Sequence, residues 1–213
     1  MTNNVTLEEE VMIDGIKKLS SIDIRLKTFL QKFSVPVLPI EKNYFWSLCR
    51  SVIYQQISGK AAKKISDRYL SLFDQDVKMT PSDVLEIDIE KIYKVGISRQ
   101  KSSYIKNIAD AFSNNIINEK KISELDDQEI IKQLTSIKGV GRWTAEMFLI
   151  FTLRRTDVFP VTDLGVQKGF QIFYSLDKLP TIEMMNQKSE SWRPYRTIMS
   201  LYLWYAVEGP FEW

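Results

Sequence analysis

Ile137-Lys138-Gly139-Val140-Gly141-Arg142-Trp143-Thr144-Ala145 joins two stretches of helical patterning. Upstream, Ile130, Ile131, Leu134 and Ile137 recur at helical spacing after Asp126-Asp127, an acidic start that suits a helix N-terminus. Downstream, Trp143, Met147 and Ile150 share one face. Gly139 and Gly141 bracket Val140, and glycine supplies positive φ and lets another backbone come close. The segment reads helix, tight turn, helix. Such a turn presents backbone N–H groups at the start of the second helix, a ready site for a phosphate. An ordinary αα-hairpin closed by a glycine turn carries the same local pattern. Farther on, Val158-Phe159-Pro160-Val161-Thr162-Asp163-Leu164-Gly165 is a connector that delivers one carboxylate to the start of another helix.

Composition narrows the chemistry. The 213 residues suffice for one large domain or two small lobes. Hydrophobic residues make up 44%, enough for a packed core. The net charge of +2 is too weak to argue for nucleic acid by itself. With no histidine, acid–base work falls to Asp, Glu, Lys, Tyr or Cys49, and histidine metal sites are excluded. The single cysteine excludes an intrachain disulfide framework and a four-cysteine iron–sulfur cluster. Within its apolar helix Cys49 reads as a small buried hydrophobe. No secretory leader and no run of 18 uninterrupted apolar residues occurs, so an intracellular, soluble protein with no membrane partner is expected.

Along the chain the patterning is helical throughout. Helices are expected over Glu8–Leu19, with Val11, Ile16 and Leu19 inward, and over Ile22–Phe33. Val35-Pro36-Val37-Leu38-Pro39 is an extended linker. Tyr44–Gln55 is strongly apolar, and Gln55–Gly59 is a loop. Lys60–Phe73 follows, with Ala61, Ile65, Tyr69 and Leu72 inward. Thr80-Pro81-Ser82-Asp83 signals a helix start, and Asp88–Tyr93 is a further short helix. Gly96 stops one helix and Ser98 starts the next, which carries Arg99 and Lys101 as phosphate-contact candidates. Leu164–Tyr174 and Ser191–Tyr205 complete a set of around ten helices. The tail Pro210–Trp213 carries no signal. An all-α chain is expected.

Four segments, in order, resemble the helix-hairpin-helix DNA glycosylases, specifically the 3-methyladenine DNA glycosylase II (AlkA-like) branch. Leu134–Ala145 resembles the hairpin motif, with Arg-Trp-Thr-Ala after the glycines. Asp163 stands where the family carries its essential Asp. Tyr54-Gln55-Gln56-Ile57-Ser58-Gly59-Lys60-Ala61-Ala62 is similar to the DNA-intercalating loop. Trp192-Arg193-Pro194-Tyr195-Arg196, followed by Leu203-Trp204-Tyr205, is similar to the C-terminal signature. The resemblance covers the chain from about Leu19 onward and implies two helical lobes with a central cleft. One lobe would be 43–155. The other would combine 10–42 with 156–213 and carry the catalytic Asp, with no N-terminal β-domain.

The resemblance also implies the site. Asp163, at a helix start whose dipole favours an anion, would stabilise the positive charge that develops on the sugar as the C1′–N bond breaks. Trp143 occupies the place of the lysine that attacks the sugar in bifunctional relatives, so a monofunctional enzyme is implied. Trp143 and Trp204 would line the base pocket, where electron-rich rings suit a cationic N-alkylated purine, although core packing explains either tryptophan equally simply. Gln56, Ile57 or Ser58 would plug the gap left by the flipped nucleotide. Lys138, Gly139, Val140, Gly141 and Arg142 would hold the DNA backbone. The carbonyls of Thr135, Ile137 and Val140 correspond to a family site for a monovalent cation, Na⁺ or K⁺; no other cofactor is expected. Arg196 matches a family arginine of unassigned role. The implied partner is double-stranded DNA containing alkylated bases, bound by a monomer in the cytoplasm or nucleoid of a prokaryote or the nucleus of a eukaryote. A catalytically silent DNA-binding module using the same hairpin is the competing reading.

Overall fold

The computed structural model describes residues 6–73 and 79–209; the tail Pro210–Trp213 discussed above lies outside them. Among the described residues there are twelve α-helices, two 3₁₀ turns and no strand, which is the all-α class expected. The helices are α1 (Glu9–Ile22), α2 (Ile24–Leu30), α3 (Tyr44–Tyr54), α4 (Gly59–Leu70), α5 (Pro81–Glu86) and α6 (Ile89–Lys94). They continue with α7 (Arg99–Ser113), α8 (Asp127–Thr135), α9 (Arg142–Phe151), α10 (Leu164–Tyr174), α11 (Ile182–Ser189) and α12 (Arg196–Glu208).

Local chemistry sets most of the starts. Ser58, Ser98, Asp126 and Asp163 each cap a helix by accepting a backbone N–H from the first turn. Thr80 and Asp83 form a reciprocal capping box around Pro81. Gly96 ends α6 at φ +104°, a conformation that costs other residues more.

Four expectations need correction. The pattern expected over Ile22–Phe33 is split, because Asp23 is extended and caps α2 through the Leu26 N–H at 2.9 Å. In α1 the buried stripe is Met12, Gly15 and Leu19 rather than Val11 and Ile16. In α4 it is Ala62, Ser66 and Tyr69 rather than Ala61 and Ile65. The last helix begins at Arg196, not Ser191: Glu190–Trp192 is a 3₁₀ turn, and Pro194 lacks the N–H that a continuing helix needs. Helix α11, capped by Thr181, has too weak a periodicity to stand out in the sequence.

The helices sort into two compact units. One takes the chain up to Pro39 and again from Leu149; the other takes Ile40–Phe148, so the division falls inside α9. In the second unit α7 is the central helix, packing against α3, α5 and α6. Its core holds Phe45, Leu48, Ile105, Ile108 and Phe148, with Trp46 stacked on Tyr69 at 5.9 Å. Cys49 is fully buried there, and burial pushes its thiol pKa up, which leaves it inert.

In the first unit α10 lies against α12 and α1 against α2. Trp192 is 1% exposed and touches the rings of Phe159, Phe170, Phe173 and Tyr174. The α10–α12 crossing is unusually close. A Cβ on Gly169 would overlap the Leu203 carbonyl, and one on Gly165 would sit 2.7 Å from Trp204 Cδ1. Gly169→Ala must push backbone from backbone. It is expected to cost about 1–3 kcal/mol, read as a lower urea midpoint at unchanged slope. An unchanged midpoint would mean the crossing is slack.

Candidate active site and DNA-binding hairpin

The carboxylate is fixed from two directions. The connector turns at Pro160, whose carbonyl accepts the Asp163 N–H at 2.9 Å. Asp163 then caps α10: its Oδ1 accepts the Val166 N–H at 2.8 Å. The same oxygen accepts the Trp204 indole N–H from α12, also at 2.8 Å. Gly165 lets the indole come that close, since any side chain there would meet it. Trp204 is 4% exposed and stacks on Phe151 at 5.7 Å, so its ring is largely enclosed by the fold while its N–H serves the carboxylate.

One face of α12 holds the rest of the connector. Arg196 Nε donates to Asp157 Oδ1 at 2.6 Å and its Nη2 to the Asp157 carbonyl at 2.9 Å. Thr197 Oγ1 donates to the Arg155 carbonyl at 2.7 Å and accepts the Val158 N–H at 2.9 Å. Ser200 Oγ donates to the Val158 carbonyl at 3.1 Å. Arg196, Ser200 and Trp204 stand at i, i+4 and i+8, so one stripe of α12 clamps the chain from Asp157 to Asp163. This gives Arg196, whose role the sequence left open, a structural one. Sequence reasoning missed the clamp because Thr197 and Ser200 look like ordinary helix polar residues. Their signal was only that spacing.

In the other unit, Gly139 and Gly141 do different work. Gly139 has φ +103° and packs under Tyr104, so that a Cβ would overlap the ring. Gly141 has no positive φ, and a Cβ there would meet nothing within 4 Å. Nothing inside the protein requires glycine at 141; the space over it is open to an outside group. It directly precedes α9 and has no side chain with which to cap it. The turn itself is held by protein. Val140 N–H donates to the Ile137 carbonyl at 3.0 Å. Asn107 Nδ2 donates to the Lys138 carbonyl at 2.9 Å, and Gln55 Nε2 to the Gly139 carbonyl at 3.2 Å.

The remaining candidates are placed as follows. Lys138 and Arg142 are exposed, and Arg142 Nε bonds the buried Glu146 carboxylate at 2.9 Å. Trp143 is half-buried in the first turn of α9. Gln56 and Ile57 are exposed, Gln56 in the left-handed region at φ +58°. Ser58 is engaged as the cap of α4. Lys101 does not reach outward: its Nζ donates to the carbonyls of Ile53 and Gln55 at 2.8 and 2.6 Å. Burial there pulls its pKa below the usual lysine range. Arg99 lies over the Tyr93 ring at 4.9 Å and pairs with Glu90. No cluster of metal-ligating side chains occurs among the described residues, and no helix among them is long and apolar enough to cross a membrane.

The chain is similar to known proteins. Residues 49–194 match the family described as HhH-GPD superfamily base excision DNA repair protein. The chain is 38% identical over 211 residues to the DNA-3-methyladenine glycosylase 1 of Schizosaccharomyces pombe, covering 96% of this chain and 92% of that one. The fission yeast 3-methyladenine DNA glycosylase in complex with abasic DNA superimposes with a TM-score of 0.85 at 34% identity, over 90% of this chain and 95% of that one. A DNA-3-methyladenine glycosidase from Bacillus halodurans gives 0.77 at 31% identity, over 91% and 89%.

The two glycines are separable by experiment. Gly139→Ala is expected to lose about 1–3 kcal/mol of stability, since it is both strained and overpacked. Gly141→Ala is expected to melt like the wild type yet bind damaged and undamaged duplex more weakly alike, because a methyl group keeps phosphate from the backbone. Wild-type affinity should fall steeply as salt rises. Unchanged affinity in Gly141→Ala would reduce the hairpin to structure.

Proposed function

The chain belongs to the HhH-GPD superfamily of base excision DNA repair proteins, and on that premise we propose how it works as a monofunctional 3-methyladenine DNA glycosylase. The hairpin at Lys138–Arg142 holds the backbone of double-stranded DNA through the N–H groups of α9. One of Gln56, Ile57 and Ser58 fills the gap left when the alkylated nucleotide leaves the stack. Unstacking costs about a few kcal/mol, less for a damaged pair. In domain terms, 43–155 grips the DNA and the remainder carries the carboxylate.

Asp163 supplies the charge for the chemistry. As the C1′–N bond breaks, its electron pair leaves with the base and positive charge develops on the sugar. A fixed carboxylate stabilises that charge, and water adds at C1′ and loses a proton. A base alkylated at N3 is already cationic, so it departs neutral and needs little help beyond this. The observation that supports the role of Asp163 most directly is its two-sided anchoring, by Val166 N–H and the Trp204 indole, on one oxygen. A cap needs only the first of these. Trp204 is thereby a positioning residue as well as a candidate wall of the base pocket. Trp143, half-buried beside the hairpin, is the aromatic we assign to the cationic base.

The carbonyls of Thr135, Ile137 and Val140 offer hard oxygen donors that suit Na⁺ or K⁺. The turn that carries them is pinned at its neighbouring carbonyls by Asn107 and Gln55. A cation held there would add positive charge beside a phosphate. Action on chromosomal DNA fits a protein of the prokaryotic cytoplasm or nucleoid or the eukaryotic nucleus, and one copy carries both hairpin and carboxylate, which fits work as a monomer.

Duplexes with a single 3-methyladenine test the assignment. Free base should be released, strands should stay intact until alkali is added, and borohydride should trap no protein–DNA adduct, because an indole at position 143 cannot form a Schiff base. No released base would leave a silent DNA-binding module; an efficient adduct would contradict the monofunctional mechanism.

A further inference from the structure

The loop Gln56–Ser58 and the glycine hairpin are 84 positions apart at Gln55 and Gly139, yet they are tied by direct bonds. Gln55 Nε2 donates to the Gly139 carbonyl at 3.2 Å and to Thr144 Oγ1, in the first turn of α9, at 2.9 Å. The backbone carbonyl of the same Gln55 takes the Lys101 ammonium at 2.6 Å. Lys101 also takes the Ile53 carbonyl, so it closes the C-terminal end of α3 just before the loop. Lys101, Tyr104 and Asn107 stand at i, i+3 and i+6 on α7. Lys101 serves the loop, Tyr104 packs on Gly139, and Asn107 holds the Lys138 carbonyl. Gln100 in turn holds the Tyr104 hydroxyl at 2.6 Å.

These ties matter because packing does not fix the loop. A depression of about 250 Å³ lies beside it, lined by Ile57, Ile65, Ile97 and Lys101 among others. Gln56 and Ile57 are exposed, and Gln56 holds a left-handed backbone that the loop alone would not favour. The loop's position therefore rests on polar bonds at its two ends, Gln55 with Lys101 on one side and the Ser58 cap on the other.

We infer that one face of α7, together with Gln55, is a strut that fixes the separation of loop and hairpin, making Gln55 a positioning residue for base flipping. When the hairpin seats on phosphate, the strut places the loop at a set distance from it. Grip and insertion then occur as one event rather than two. This deepens the glycosylase reading and rests on it.

The test measures flipping separately from grip. A fluorescent base analogue beside the lesion reports unstacking in stopped flow; affinity for undamaged duplex reports grip. Gln55→Leu removes both side-chain bonds. Gln55→Glu keeps the size but cannot donate to the Gly139 carbonyl, and it serves if the leucine variant melts early. In either variant unstacking should slow by roughly tenfold, the worth of about one net hydrogen bond. Undamaged-duplex affinity should stay within about twofold, since Asn107 and Tyr104 still hold the hairpin when Gln55 lets go. A lesion placed in a single-base bulge, already unpaired, should restore most of the rate. Wild-type unstacking rates in a folded variant overturn the strut. So does a parallel fall in affinity and unstacking that the bulge does not restore. Excision of 3-methyladenine by the wild type is followed alongside. Its absence counts against the glycosylase reading, whereas its presence with unaltered Gln55 variants counts against the strut alone.

Discussion

Helices α10 and α12 meet backbone to backbone because Gly165 and Gly169 face α12 one turn apart. That approach brings the Trp204 indole N–H within 2.8 Å of the Asp163 carboxylate, which α10 presents at its first turn. Wider spacing would leave the carboxylate as an ordinary cap, swinging about one bond. With both donors in place the side chain is held in one orientation, which electrostatic stabilisation of a developing charge requires. The clamp from Arg196, Thr197 and Ser200 to the connector keeps the approach to α10 equally fixed.

The unit that carries the hairpin is organised differently. Its hairpin buries Ile137 and Val140. It is pinned at two carbonyls by Gln55 and Asn107 and wedged by Tyr104 under Gly139. This leaves open space over Gly141, just before α9. Rigid scaffold beneath, open backbone above, is what recognition of phosphate without sequence reading demands.

Much of this was legible in the sequence, and the legible part is local. Asp126, Ser98, Thr80 and Asp163 announce helix starts through their own side-chain chemistry, and the glycine turn between α8 and α9 needs nothing distant. Resemblance carried the family and pointed to Asp163 as the candidate carboxylate. What stayed hidden depends on partners far along the chain. The Trp204–Asp163 bond spans 41 positions, and the Thr197 clamp 39 to 42. Lys101 reads as a surface cation, yet it closes α3. Gly169 carries no signal of its own in the sequence, yet it lets α10 meet the Leu203 carbonyl of α12. In α1 and α4, Leu19 and Tyr69 are buried as expected, but Met12, Gly15, Ala62 and Ser66 stand inward in place of Val11, Ile16, Ala61 and Ile65; at Gly15 the lack of a side chain lets Ile198 and Tyr195 come close.

The central claim is that Asp163 works by its charge and not only as a cap. Asp163→Asn separates the two, because asparagine keeps the size and can still accept the Val166 N–H and the indole N–H through its oxygen. Single-turnover excision of 3-methyladenine, measured beside duplex affinity and thermal stability, decides it. The account predicts a folded variant that binds duplex at least as well as the wild type, since a negative charge near phosphate is gone. Its excision should be slower by roughly a hundredfold to a thousandfold. Excision at the wild-type rate by the purified asparagine variant would contradict it.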